Sequence, residues 1–236
     1  MAEGNMRMMN LRVDPASQAK LKGLTMGYIG FSGVNVQVVK THPLVDEAIR
    51  SASKGATKKF GEGRAIHEDP VIKGIRVLFS QVGLDPTKND PSGEALIKRV
   101  LKGQPLYRIN TVVDLNNAES IRTGAPFGVY DVDNFQGDTI TFSVGGSGAT
   151  YAGIGGQKMN GEKRILSSDE LGIFGGPTAD SGRTCITAAT KSVLMLIYFP
   201  TSASPAILED AMAHTIGLME KVTSGKAEYQ GVFSIS

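Results

Sequence analysis

The sequence predicts an α+β protein rather than a doubly wound parallel sheet, because helical patterning fills its first half and strand patterning its second. Two observations carry that expectation. Helix-spaced apolar residues recur up to a stop at Gly124, and from Pro126 onward they alternate or run unbroken. No internal repeat appears and no linker separates two halves, so the 236 residues are expected to form a single domain over 1–236.

The elements follow in order. Residues 1–20 read as a polar leading arm, and Tyr28 to Val39, β-branched with glycines, as one or two short strands. Thr41 is placed to cap a helix opening at His42-Pro43, with Leu44, Val45, Ala48 and Ile49 on its apolar face. A second helix has Asp69 as cap, Pro70 at its first position, Ile72, Ile75, Phe79 and Val82 at helical spacing, and Gly83 as stop. A third runs from Pro91 to Leu101, with Leu96, Ile97, Val100 and Leu101 inward and Gly103 ending it. A fourth, Thr111 to Arg122, carries a polar stripe. A strand after Pro126 then delivers Asp131.

Thr139 to Val144 alternates as a half-buried strand should, and the glycine-rich stretch Gly145 to Gly156 splits around Tyr151 into hairpin-like turns. Lys163 to Leu166, Leu171 to Phe174 and Val193 to Phe199 are further strands. Ser204 is placed to cap a last helix, from Pro205 to before Gly225. Its wide apolar face (Ile207, Leu208, Ala211, Met212, Ile216, Met219) should pack on the sheet.

Composition sets limits. Hydrophobic residues at 41% and charged residues at 20% are ordinary for a globular chain. A net charge of +2 permits nucleic-acid contact without demanding it. Three basic groups (Lys54, Lys58, Lys59; Lys98, Arg99, Lys102; Lys158, Lys163, Arg164) read as solvated faces. The single cysteine, Cys185, rules out an internal disulfide and reads as a small packing residue. No Cys/His spacing resembles a zinc site, so neither metal nor cofactor is expected. No apolar run reaches membrane-spanning length and none resembles a signal peptide, so a cytosolic protein without membrane contact is expected.

Four features invite a chemical reading. Asn110, Asp114 and Asn117 share one helical face, which implies either a buried polar network or a ligand site. The stretch Gly145 to Gly156 lacks the Gly-Lys-Ser/Thr ending of a phosphate loop, and Gly146-Ser147-Gly148 lacks the third glycine of a dinucleotide fingerprint; turns explain both. Leu171 to Pro177 differs, because a strand runs straight into Gly175-Gly176, where positive φ or close backbone approach is available. The loop Thr178 to Thr184 follows, with Asp180, Arg183 and Thr184 able to hold a polar ligand or to pin the loop. Asp131 and Asp133 read as an Asx turn. His42, His67 and His214 stand too far apart in sequence to assemble a triad with any specificity.

Arg108-Ile109-Asn110, Val113 to Asn117, Gly124-Ala125-Pro126 and Tyr130-Asp131, followed by Gly172 to Gly176, Thr190 to Leu194 and Phe199-Pro200, resemble the B-three/B-four module of the phenylalanyl-tRNA synthetase beta subunit. Asp85 to Val100 is similar to what free-standing members carry upstream. The resemblance is strongest over about residues 70–200. It implies a compact module of β-sandwich or mixed-sheet layers with flanking helices, an N-terminal extension over 1–69 and a C-terminal helix over 204–224. In the synthetase the module hydrolyses tRNA mischarged with tyrosine, the 3′ end entering a pocket between its two halves. The parts that activate phenylalanine have no counterpart in this chain.

Carried over residue by residue, the resemblance retains Asn110, Asp114, Asn117, Asp131, Gly175 and Gly176. It departs at Asn116 (threonine in editing modules), Gly128 (histidine) and Leu196, which replaces the glutamate that reads the tyrosine hydroxyl. A leucine cannot accept that hydrogen bond. These nine positions are the expected pocket. Asp180, Arg183 and Thr184 are the candidates for catalysis, with the Gly175 and Gly176 amides as oxyanion donors, each worth about 2.7–4 kcal/mol in known cases. The implied partner is tRNA or an aminoacyl-tRNA end, with possible hydrolysis. The alternative is a non-catalytic module binding RNA or an amino-acid-like small molecule.

Overall fold

A computed structural model of the chain describes residues 6–236 apart from Glu62 and Arg64; the first five residues of the expected leading arm lie outside the described residues. In order, β1 (Asn10–Val13), α1 (Gln18–Leu21), β2 (Leu24–Ser32), α2 (Pro43–Phe60), α3 (Pro70–Gln81), α4 (Ser92–Leu101) and α5 (Thr111–Thr123) precede β3 (Phe127–Asp131). Then come β4 (Thr139–Val144), β5 (Thr150–Ala152), β6 (Lys158–Asn160), β7 (Ile165–Asp169), β8 (Gly172–Gly175), β9 (Val193–Pro200), α6 (Pro205–Thr223) and β10 (Lys226–Ser234).

The α+β expectation holds, with helices layered on sheets. One antiparallel sheet has the order β10-β2-β9-β3; a second, β1-β4-β7-β8, is parallel only at β1–β4; β5 and β6 form a separate hairpin. The first sheet is the middle layer. Leu194, Leu196 and Tyr198 of β9 face the second sheet and pack with Phe142, Ile165 and Phe174. Val193, Met195, Ile197 and Phe199 face the helices and pack with Val112 and Leu115 of α5 and Leu208 and Met212 of α6. Burial on both faces is why β9 reads as an unbroken apolar run. A third cluster joins α2, α4 and α5 through Ala52, Ala56, Ile97, Ala118 and Ile121.

Helix ends show which polar residues serve the backbone. Asp69 caps α3 by accepting from the Val71 and Ile72 N–H groups at 3.0 and 3.1 Å, and it also pairs with Lys59. At α2 the capping residue is His42 rather than Thr41. Pro43 fixes the first helical position, and the His42 N–H donates to Asp46 Oδ2 one turn in, at 3.1 Å. Ser204 occupies the cap position of α6 but makes no side-chain capping bond. Gly124 ends α5 at φ 79°, a left-handed conformation that favours glycine.

Strands β1, β6 and β10 were not foreseen. β10 alternates between exposed and half-buried positions along its whole length, and it is a strand only because β2 supplies its ladder. The stretch Tyr28 to Val39 holds the end of one strand, which starts earlier, at Leu24; beyond Ser32 the chain leaves the sheet.

At the other edge of the middle sheet lies β3, and α5 closes it. The Phe127 N–H donates to Ser120 Oγ at 3.1 Å, and Asn116 Nδ2 donates to the Phe127 carbonyl at 3.3 Å. Polar residues of a helix therefore do for this edge what a neighbouring strand would do. Among the described residues no helix is long and apolar enough to cross a membrane.

Candidate functional site

A cavity of about 380 Å³ opens where α5, the edge strand β3 and the segment Gly176–Ile186 converge. Phe127, Val129 and Tyr130 of β3 line one side, and Val113, Asn116, Asn117 and Ser120 of α5 another. Gly176, Thr178 to Ser181 and Thr184 to Ile186 form the facing wall; Ile109 and Ile154 also line the cavity, each at least half exposed. The facing wall is held in place by its neighbours. Ser181 N–H donates to the Phe174 carbonyl at 2.8 Å, the Tyr151 hydroxyl donates to the Ala179 carbonyl at 3.0 Å, and Gly153 of the β5–β6 hairpin bridges to Ser181. The expected loop is thus both pinned and cavity-lining.

Two atoms of the wall are buried without a hydrogen-bond partner, Asn116 Oδ1 and Thr184 Oγ1. Asn116 can present only its amide nitrogen to the Phe127 carbonyl, so its oxygen is the end left over.

Asp180 sits beside them. Tyr130, fully buried, donates its hydroxyl to Asp180 Oδ1 at 2.7 Å. Burial of the carboxyl pushes its pKa up to about 7; the bonds from Tyr130 and from the Gly176 N–H pull the other way and only partly offset it. Asp180 as a whole is half-buried, its Oδ1 lying against the Gly175 backbone beside the Tyr130 hydroxyl. The same burial raises the Tyr130 hydroxyl well above the ordinary tyrosine value.

Glycines make room for this pair. A Cβ at Gly128, two residues before Tyr130 on the same strand face, would run into the Tyr130 hydroxyl. A Cβ at Gly175 would meet Asp180 Oδ1 and the same hydroxyl, and one at Gly176 would meet the Ile165 carbonyl. Neither Gly175 nor Gly176 has a positive φ, so close approach, rather than an unusual backbone conformation, is what requires glycine at both positions. The expected oxyanion role meets an obstacle, because the Gly176 N–H is already directed at Asp180.

Of the residues expected at the site, the structure brings Asn116, Asn117, Gly176, Asp180 and Thr184 together on the cavity wall. It places the others elsewhere, each with a structural occupation. Asn110 caps α5, accepting from the Val113 N–H at 2.9 Å. Asp114 accepts from Arg108 Nε at 2.8 Å and from the Ile109 N–H at 3.0 Å. Asp131 accepts from the Thr190 hydroxyl at 2.6 Å and forms the expected Asx turn with the Asp133 N–H at 3.1 Å. Leu196 lies fully buried between the sheets, opposite Gly128. Arg183 does not line the cavity: its guanidinium grips Asp169 through two bonds of 2.9 and 2.8 Å and the Asn134 carbonyl at 2.8 Å. Its carboxylate partner is fully buried, and a buried charge holds its counter-ion.

Tyr130 and Cys185 were missed as wall residues. Cys185 is half-buried on the cavity rather than packed in the core. A glycine two positions before a strand tyrosine is a signal by which Tyr130 could have been found, since it clears space on the ring's own face.

Comparison with known proteins follows this geometry. The model of one family, described as the B3/4 domain, matches residues 74–222, from α3 through nearly all of α6. The chain is 19% identical to the uncharacterized protein YhzB of Bacillus subtilis (strain 168) over 217 residues, which are 92% of this chain and 96% of that protein. Among solved structures it is similar to an N-terminal fragment of the phenylalanyl-tRNA synthetase beta-subunit from Pyrococcus horikoshii, at 12% identity and a TM-score of 0.49. That match covers 98% of this chain but 56% of the fragment, so the chain spans a little over half its length.

Proposed function

We propose, for a chain that belongs to the B3/4 domain family, that the cavity receives the aminoacylated 3′ end of a tRNA and hydrolyses the ester. The observation that carries this reading is the mostly apolar cavity itself, on whose wall the polar side chains Asn116, Asn117, Asp180 and Thr184 converge. A concave, mostly apolar pocket with a few convergent polar groups is the usual form of a small-ligand site.

In this reading the Asn116 and Thr184 side chains turn into the cavity, where Asn116 Oδ1 accepts a hydrogen bond from the attacking water and the Thr184 hydroxyl orients it. The water oxygen bonds to the ester carbonyl carbon and the bond to the ribose oxygen breaks. One of the water's protons passes to the departing ribose oxygen and the other stays on the amino acid, which leaves as a carboxylic acid and then ionises in water. An aminoacyl ester is already activated, and its neighbouring ribose hydroxyl assists, so a positioned water supplies the rest. The wall side chains Leu96, Val113, Phe127 and Ile186 suit an apolar acyl side chain.

The test is a panel of mischarged tRNAs incubated with the protein, with binding measured across a salt titration. Deacylation above the uncatalysed rate for at least one tRNA is expected, with affinity falling as salt rises. No deacylation across the panel would overturn the hydrolytic reading, and a salt-independent affinity would remove tRNA as the ligand.

A further inference from the structure

The charges around the cavity are one-sided. Among the described residues that line it, Asp180 is the sole carboxylate, and none is lysine, arginine or histidine. The neighbouring cations are committed elsewhere. Arg164 reaches the back of the wall at Thr178 Oγ1, 3.3 Å away, but spends its second nitrogen on Asn89 Oδ1 at 2.9 Å. Arg183 is held by Asp169, and Arg108 by Asp46 and Asp114. A carboxylate offers about four acceptor positions; the Tyr130 hydroxyl and the Gly176 N–H account for two at Asp180.

We infer that the cavity selects compounds carrying a free α-ammonium and a masked carboxyl, with Asp180 as the ammonium receptor. Aminoacyl esters and amides enter; free amino acids and N-acylated esters do not. An ammonium group finds in Asp180 a counter-charge and open acceptor positions. A free carboxylate would have to leave water for an apolar wall that offers it no cation, and an unpaired charge does not tolerate such transfer. An N-acyl group removes the charge and adds bulk beside Asp180. The inference rests on the cavity named above but not on tRNA: it assigns the half of the ligand that carries the amino group. It also gives a physical reason why product leaves, since hydrolysis creates the carboxylate the wall rejects.

The experiment is calorimetric titration of the full chain with L-leucinamide and L-phenylalaninamide, which are stable to hydrolysis, with the free amino acids and with the N-acetyl amides. The amides are expected to bind at least tenfold more tightly than either comparison set. Asp180→Asn, checked for an unchanged circular dichroism spectrum, is expected to lose that tenfold for the amides alone. Equal affinity for free acid and amide, equal affinity for the N-acetyl amide, no amide binding, or an unchanged amide affinity in Asp180→Asn would each overturn the inference. Two further results separate it from the hydrolytic reading. Equal deacylation of N-acetylated and unblocked aminoacyl-tRNA would end the ammonium role and leave hydrolysis standing. Selective amide binding without any tRNA deacylation would do the reverse.

Discussion

Asp169 and Asp180 lie at either end of the same β8-centred excursion and meet opposite surroundings. Asp169 receives two bonds from Arg183 and three from backbone N–H groups, those of Gln136, Leu171 and Gly172, at 2.8 to 3.1 Å. Burial alone would raise its pKa, but Arg183 and the backbone donors outweigh it and hold the carboxyl below the ordinary aspartate value. Asp180 has a phenol and one amide and no cation, and burial prevails. One carboxylate is saturated and clamps the chain. The other is left wanting a partner, and the cavity is where a partner can come from.

The comparison breaks most visibly at Arg183. Arg183→Ala strands a buried charge at Asp169 and is expected to cost roughly 3–5 kcal/mol of stability, measured by urea unfolding at pH 7. A loss under about 1 kcal/mol would mean the clamp is not what holds the β8 turn, and would reopen Arg183 as a site residue. The space around the other aspartate is tested next. Gly128→Ala pushes on the Tyr130 hydroxyl and should cost about 1–3 kcal/mol by overpacking. An unchanged melting temperature would show that the Tyr130–Asp180 pair has slack.

The two carboxyls also differ in the sign of their pH dependence. Asp169, lowered on folding, contributes stability that is present above its unfolded value near 3.8 and lost as pH falls through its folded value. Asp180, raised to about 7, acts in reverse: it binds its proton more tightly when folded, so stability declines as pH rises from about 3.8 to about 7. Asp180→Asn should therefore melt higher than the parent at pH 8 and show little difference near pH 4. Melting curves that run parallel across that range would remove the special environment assigned to Asp180. The smallest effect belongs to Thr184→Val, which deletes a buried hydroxyl without a partner and should change stability by less than about 1 kcal/mol, in either direction. Its deacylation rate should nonetheless fall; parent-like rates would assign the attacking water to other groups.

Much of this was legible beforehand, for local reasons. Asp69-Pro70 at a helix start, Gly124 at a helix end and the alternation from Thr139 to Val144 each state a backbone preference within a few residues. The polar stripe on α5 was also visible, but its meaning was not. Asn110 and Asp114 turned out to serve the helix start, Asn116 and Ser120 the edge of β3 while also lining the cavity, and Asn117 lines the cavity without such a bond. The adjacent pair Asp180 and Arg183 looked like one polar cluster and is two, facing different ways.

Chain order alone settled the α+β class, most helices and the strands whose pattern stands without a neighbour, because caps, glycine stops and periodicity act over one or two turns. The assembled structure decided that Lys226 to Ser234 is a strand, since only the β2 ladder makes it one. It likewise decided which polar side chains are spent and which are open. That distinction depends on cavity-wall residues as distant in sequence as Ser92 and Ile186, and on a carboxylate's having or lacking a cation, neither of which any local pattern encodes.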